Sequence, residues 1–125
     1  MKISKKDYYL IKFIIKNLIL LKGINIKIID TRKKNNLFNY FIICEGTSNL
    51  HIKSIYNKIE MSIYKKYKIR PYNIEGQTNC KWILIDYVFF IVNIFLDKIR
   101  YYYKIDKFFK NFPIIDVLNK KIYFK

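Results

Sequence analysis

The run Asn39 to Glu45, NYFIICE, is apolar at nearly every successive position, and this constrains the fold more than any other feature. A strand with one wet face alternates, and an amphipathic helix shows a stripe. A short unbroken apolar run must instead be covered on both sides, as in the central strand of a layered sheet. Gly46, Thr47 and Ser48 then turn the chain, and Ser48 is a good helix N-cap. Beyond it Ile52, Ile55, Tyr56, Ile59 and Ile63 share one helical face, with Lys53, Lys58, Lys65 and Lys66 mostly on the other.

The flanking segments read in the same terms. Ser4 to Asp7 has the form of a capping box, and Ile11, Ile14, Ile15, Leu18 and Leu21 continue it as a helix. Gly23 is expected to end that helix in a left-handed cap. Asn25 to Thr31 reads as a strand and Arg32 to Asn36 as a polar loop. Arg70-Pro71 is expected to stop the second helix. YNIEGQTNCKW gives a short strand and loop, and WILIDY and FFIVNIF two strands joined tightly at Tyr87-Val88. Asp97 is expected to cap a last helix through Ile99, Tyr102, Tyr103 and Asp106. After Pro113 the pattern fades. The order α-β-β-α-β-β-β-α predicts a single layered α/β domain over residues 1–114, a mixed β-sheet flanked by helices, with a C-terminal tail at 115–125.

At 125 residues and 52% hydrophobic, the chain can bury one core without a metal or disulfide. Its longest apolar stretches, YYLIKFIIKNLILL and ILIDYVFFIVNIFL, fall short of the roughly 20 residues a bilayer span needs. No signal peptide is legible, so the expectation is a cytoplasmic protein without membrane contact. Cys44 and Cys80 lack metal-ligand spacing and read as buried thiols in a reducing compartment. The net charge of +16 ordinarily suggests nucleic acid. Here, however, alanine is absent, arginine occurs only at 32, 70 and 100, and Ile, Lys, Asn, Tyr and Phe dominate. These are residues with AT-rich codons, so codon bias can generate the charge without selection for a basic surface.

Cys44, Glu45, Ser48 and His51 lie close enough in sequence to raise catalysis. Yet Cys44 belongs to the apolar strand, His51 to the first helical turn, and no nucleophile elbow is present. Gly46 to Ser48 resembles a phosphate-binding turn, but the P-loop and dinucleotide fingerprints are missing. Asp30, Asp86, Asp97, Asp106 and Asp116 are scattered rather than paired for magnesium. The reading is a non-enzyme with no cofactor and no metal.

A family resemblance covers residues 4 to 114. YFIICEGTSNLHIKSI resembles the Y-F-V-I-A-x-G-T-S-x-R-H-V-x-A-I signature of the ribosomal silencing factor (RsfS, or Iojap-like) family. Asp30-Thr31, Pro71 with Glu75-Gly76, WILIDY, VNIF and RYYYKIDKFF…P follow in the family's order and spacing. The chain departs from the pattern at Phe38, Asn39, Leu50, Val88-Phe89, Asn93 and Phe109. At these positions the family usually has Thr, Asp, Arg, Gly-Asp, His and Trp.

The resemblance implies a nucleotidyltransferase-like fold without catalytic carboxylates. It implies binding to the large ribosomal subunit at its uL14-type protein, a block on joining of the small subunit, and repression of translation. An rRNA contact and a homodimer stay open. So do an assembly role without silencing, and an RNA-binding or nucleotidyltransferase-like domain. The residues expected to carry partner binding are Trp82, Leu84, Asp86, Tyr87, Tyr102 and Tyr103, because tryptophan and tyrosine bury much area at low entropy cost. Gly46, Thr47 and Ser48, with Glu75 and Gly76, are expected to be structural turns.

Overall fold

Ser4 begins the first helix as its sequence suggests. In a computed structural model, which describes residues 4–32 and 39–116, the Ser4 hydroxyl accepts the Asp7 amide at 3.1 Å. Helix α1, Lys5–Leu20, then buries Leu10, Ile11, Ile14, Ile15 and Leu18. Its end differs from expectation. Lys22, not Gly23, takes the left-handed conformation, with φ 63°. Gly23 donates its amide to the Leu18 carbonyl at 2.8 Å, and a side chain there would run into Cys44 Sγ. The requirement for glycine is therefore steric and comes from the neighbouring strand.

Strands β1 (Ile24–Asp30) and β2 (Tyr40–Gly46) pair antiparallel. After helix α2, Asn49–Tyr67, come β3 (Asn73–Glu75), β4 (Trp82–Asp86) and β5 (Phe90–Leu96). Helices α3 (Asp97–Tyr102) and α4 (Ile105–Phe108) precede β6, Ile114–Asp116. The six strands lie in the order β3-β4-β5-β2-β1-β6. Only β2 and β5 are parallel, so the sheet is mixed.

The apolar run is the central strand for a visible reason. Tyr40, Ile42 and Cys44 belong to the core shared with α1 and α2. Phe41 and Ile43 alternate onto the opposite face, where Ile105 and Phe109 meet them. Both faces of β2 are covered, as the absence of alternation requires.

Three boundaries depart from the sequence reading. Helix α2 ends at Lys68 in a left-handed cap, φ 58°, before Arg70-Pro71 is reached. The last helix breaks at Lys104, φ 52°, into α3 and α4, and Leu96 rather than Asp97 holds the N-cap position. The segment expected to fade into a tail begins as β6, which pairs with β1 from Lys27 to Ile29. The remainder of that tail, and the loop positions 33–38 with Phe38, lie outside the described residues. Among the described residues no helix is long and apolar enough to cross a membrane.

Ser48 Oγ accepts the His51 amide at 3.0 Å, so Ser48→Ala is expected to lower stability by about 1 kcal/mol. Urea unfolding checks this, and an unchanged midpoint would show that the cap contributes nothing.

Candidate binding surface on the open sheet face

The second layer of the sheet depends on a charged cluster. Arg100, on α3, is 5% exposed. Its Nη1 donates to Glu45 Oε2 at 2.8 Å and to the Asn25 carbonyl at 2.7 Å. Its Nε and Nη2 grip the two Asp106 oxygens, each at 2.8 Å. Lys27 Nζ reaches Asp106 at 3.0 Å, and the Asn25 amide donates to Glu45. One guanidinium thus ties α3 to α4, to the end of β2 and to the irregularity in β1 between Ile24 and Lys27. Burial works against the Arg100 charge, but Asp106 and Glu45 outweigh it and hold the group protonated above its ordinary range. The sequence reading missed this cluster. A signal existed in the retention of arginine in so lysine-rich a chain, since only arginine offers a planar fork for several acceptors.

With α3 anchored there, an aromatic row forms across the face. Ile83 and Ile85 of β4 point into the α1–α2 core. Trp82, Leu84 and Asp86 alternate to the other face and stay half-buried, as does Ile91 opposite Asp86. Trp82 Nε1 donates to Asn93 Oδ1 at 2.9 Å. Its ring meets Phe95 at 5.6 Å and Tyr103 at 5.4 Å, and Tyr103 meets Tyr102 at 5.0 Å. The row runs from buried Phe95 outward to Tyr103 and Tyr102, which are 56% and 74% exposed. Of the residues expected to bind a partner, Trp82, Leu84, Asp86, Tyr102 and Tyr103 therefore lie on or beside one open face.

Tyr87 does not join them. It is 4% exposed, packs in the α1–α2 core and stacks on Phe90 at 4.9 Å. Asp86 Oδ1 accepts the Val88 amide at 2.7 Å, and Val88 adopts φ 77° between the two strands. A β-branched residue is strained there. Tyr87 continues the alternation of Ile83 and Ile85 into the α1–α2 core, and burial pushes its phenol above the usual range. Tyr87 is a core residue, and its expected role as an anchor is corrected.

Of the two structural turns, that at Glu75-Gly76 borders the open face and that at Gly46–Ser48 serves the α1–α2 side. Gly76 has φ 90°, and a side chain on it would collide with the Trp82 carbonyl. Only glycine lets the loop after β3 approach Trp82 so closely. Glu75 is exposed opposite Leu84. Gly46 ends β2 opposite Leu96. Thr47 donates its amide to His51 Nδ1 at 2.9 Å, and His51 Nε2 lies 2.8 Å from the Leu21 carbonyl. With Nδ1 accepting, Nε2 carries the proton and donates to Leu21. His51 therefore clamps the turn to the end of α1. Cys44 is fully buried, and burial pushes its thiol up to about 12. A thiol held protonated, a histidine with both nitrogens engaged and a serine acting as a cap do not form a nucleophile and base. Among the described residues no group of three or more His, Cys, Asp or Glu could hold a metal ion.

This arrangement defines a class: a single α/β domain with a mixed sheet, closed on one face by two helices and carrying an aromatic, partly covered surface on the other. The family described as "Ribosomal silencing factor during starvation" matches residues 5–122. The chain is 30% identical to the ribosomal silencing factor RsfS of Haemophilus influenzae, over 78% of this chain and 95% of that protein. It is also 30% identical to the RsfS of Chromobacterium violaceum, over 69% and 70% of the two. A crystal structure of a Chromobacterium violaceum protein superposes with a TM-score of 0.77 at 28% identity, covering 82% of this chain and 85% of that one. A Bacillus halodurans structure with a TM-score of 0.74 at 20% identity shares the fold. The chain belongs to the ribosomal silencing factor family.

Removing Arg100 would strand the buried Glu45 carboxylate. Arg100→Ala is expected to cost about 3–5 kcal/mol in urea unfolding, and a loss below about 1 kcal/mol would contradict the anchoring role. The cluster also predicts an acid limit. The Arg100 hydrogen bonds lead in holding the Asp106 carboxyl at about 2, below its ordinary 3.8, with burial opposing and Lys27 assisting. Above 3.8 the group is ionised whether folded or unfolded, so its contribution is complete. As pH falls from 3.8 towards 2, the unfolded chain takes up the proton first and this contribution is lost. Stability measured stepwise through that window should fall less steeply in Asp106→Asn.

Proposed function

We propose that this chain binds the large ribosomal subunit at its uL14-type protein, through the face formed by Trp82, Leu84, Asp86, Tyr102 and Tyr103. In that position it blocks joining of the small subunit and so represses translation. The observation that carries the reading is the family match over residues 5–122. The exposed aromatic row beside β4 supports it as a place to dock. Trp82 is the centre of the contact because it is large, half-buried and held in one orientation by Asn93. Leu84 supplies apolar surface beside it, while Tyr103 and Tyr102 extend the contact outward. The working compartment is the cytoplasm, where ribosomal subunits meet.

Mixing purified 30S and 50S particles with the protein should yield fewer 70S particles on a sucrose gradient. Unimpaired joining at saturating protein would contradict silencing and leave large-subunit assembly as the function. Trp82→Ala should weaken 50S binding by about 2 kcal/mol or more, roughly thirtyfold. Tyr102→Ala should weaken it with no change in melting midpoint, because the ring is exposed. Tyr87→Ala should instead cost about 3–5 kcal/mol of stability. Undiminished binding by folded Trp82→Ala would remove this face from the contact.

A further inference from the structure

Beside the aromatic row, between α3 and α4, the surface opens into a cleft of about 760 Å³. Lys98, Tyr101, Tyr102, Lys104 and Lys107 line it, together with Arg100 and Asp106. The last two are already committed: Asp106 is gripped by Arg100 and Lys27, so the carboxylate in the cleft is neutralised. Lys98, Lys104 and Lys107 are exposed and enter no ion pair among the described residues. The charge they add to the cleft is therefore unspent. Tyr101 is 86% exposed, and with Tyr102 it places two adjacent phenol rings in water. Neither belongs to a core cluster; Tyr102 meets Tyr103 edge-on and leaves the rest of its ring open.

Exposed aromatic faces among uncompensated ammonium groups match one ligand chemistry. An unpaired base can stack on a phenol ring whatever its identity, because every base has a π face, while the flanking phosphates attract lysine. A cleft of several hundred Å³ is the size of a small-ligand site and can take one nucleotide. A base stacked inside a duplex cannot enter such a site, which selects single strands. We propose that the α3–α4 cleft is a subsite for one unpaired nucleotide of single-stranded RNA, its base on Tyr101 or Tyr102 and its phosphates among Lys98, Lys104 and Lys107. The subsite goes beyond the silencing reading and does not need it.

The test uses fluorescence anisotropy of the full chain with a labelled oligouridine of about 12 nucleotides and an RNA duplex of equal length. Tyr101→Ala/Tyr102→Ala and Lys98→Ala/Lys107→Ala are compared with Lys53→Ala/Lys58→Ala on the outer side of α2. The last pair removes the same charge elsewhere. All six side chains are exposed, and melting midpoints confirm that each variant folds. The expected result is that both cleft variants weaken oligouridine binding by about tenfold or more, and the α2 variant by less than about threefold. The salt slope should flatten by about 1–2 in the lysine cleft variant, and the duplex should compete poorly. Three outcomes would overturn the proposal. They are failure of the wild-type chain to bind oligouridine, tyrosine variants within about twofold of wild type, or equal losses from the α2 and cleft lysines. The last two would reduce binding to the general attraction of a +16 protein. None of the three bears on 70S formation, so the silencing reading stands or falls separately.

Discussion

The ion pair between Arg100 and Glu45, closed at 2.8 Å and nearly dry, is the contact on which the second face of the sheet depends. Helices α3 and α4 have six and four residues. Helices this short do not persist without tertiary support. Phe109 provides apolar packing against Phe41, at 4.7 Å between rings. Arg100 provides direction, because its planar fork reaches Glu45, Asp106 and the Asn25 carbonyl at once. A buried ion pair often gains little over an apolar substitute, but leaving one partner behind is costly. Its use here is placement. With Arg100 fixed, Tyr103 meets Trp82, and the aromatic row follows.

The two faces of the sheet are thus put to different uses. On one side α1 and α2 cover an isoleucine-rich core, and the His51 clamp and Ser48 cap hold the turn that enters α2. On the other side cover stops partway along the sheet, leaving β4 half-exposed. The first face is closed by the core, and the second leaves aromatic side chains open to solvent. On the second face the buried Asn93 amide oxygen accepts from the Trp82 indole and fixes its orientation. Phe109 fills a buried site on the same face, against Ile43 and Phe95.

Much of the fold was legible because period and burial coincide. The unbroken run of β2 requires cover on both sides, and the stripe of α2 supplies it on one of them. The Ser4 and Ser48 caps were readable because a short side chain and an orphan amide define them locally. What escaped was non-local. The left-handed residues Lys22, Lys68 and Lys104 carry no local signature, since tertiary packing imposes a conformation that lysine does not favour. Tyr87, by contrast, was locally legible: the two-residue period that sends Ile83 and Ile85 into the core sends Tyr87 there as well. Glu45 stood out in the sequence for its company with Cys44 and His51. Its partner, Arg100, lies more than fifty residues away and only the sheet brings them together. The aromatic residue types of the open face were visible in the sequence, while their arrangement depends on that long-range pair.

The central claim is that the Arg100-anchored aromatic face is what meets the large subunit. Amide hydrogen exchange of the wild-type chain, with and without purified 50S particles, tests it most directly. The account predicts added protection over residues 82–86 and 97–108, with the outer side of α2 exchanging as before. Protection confined to α2, with β4 and α3–α4 unchanged, would contradict it.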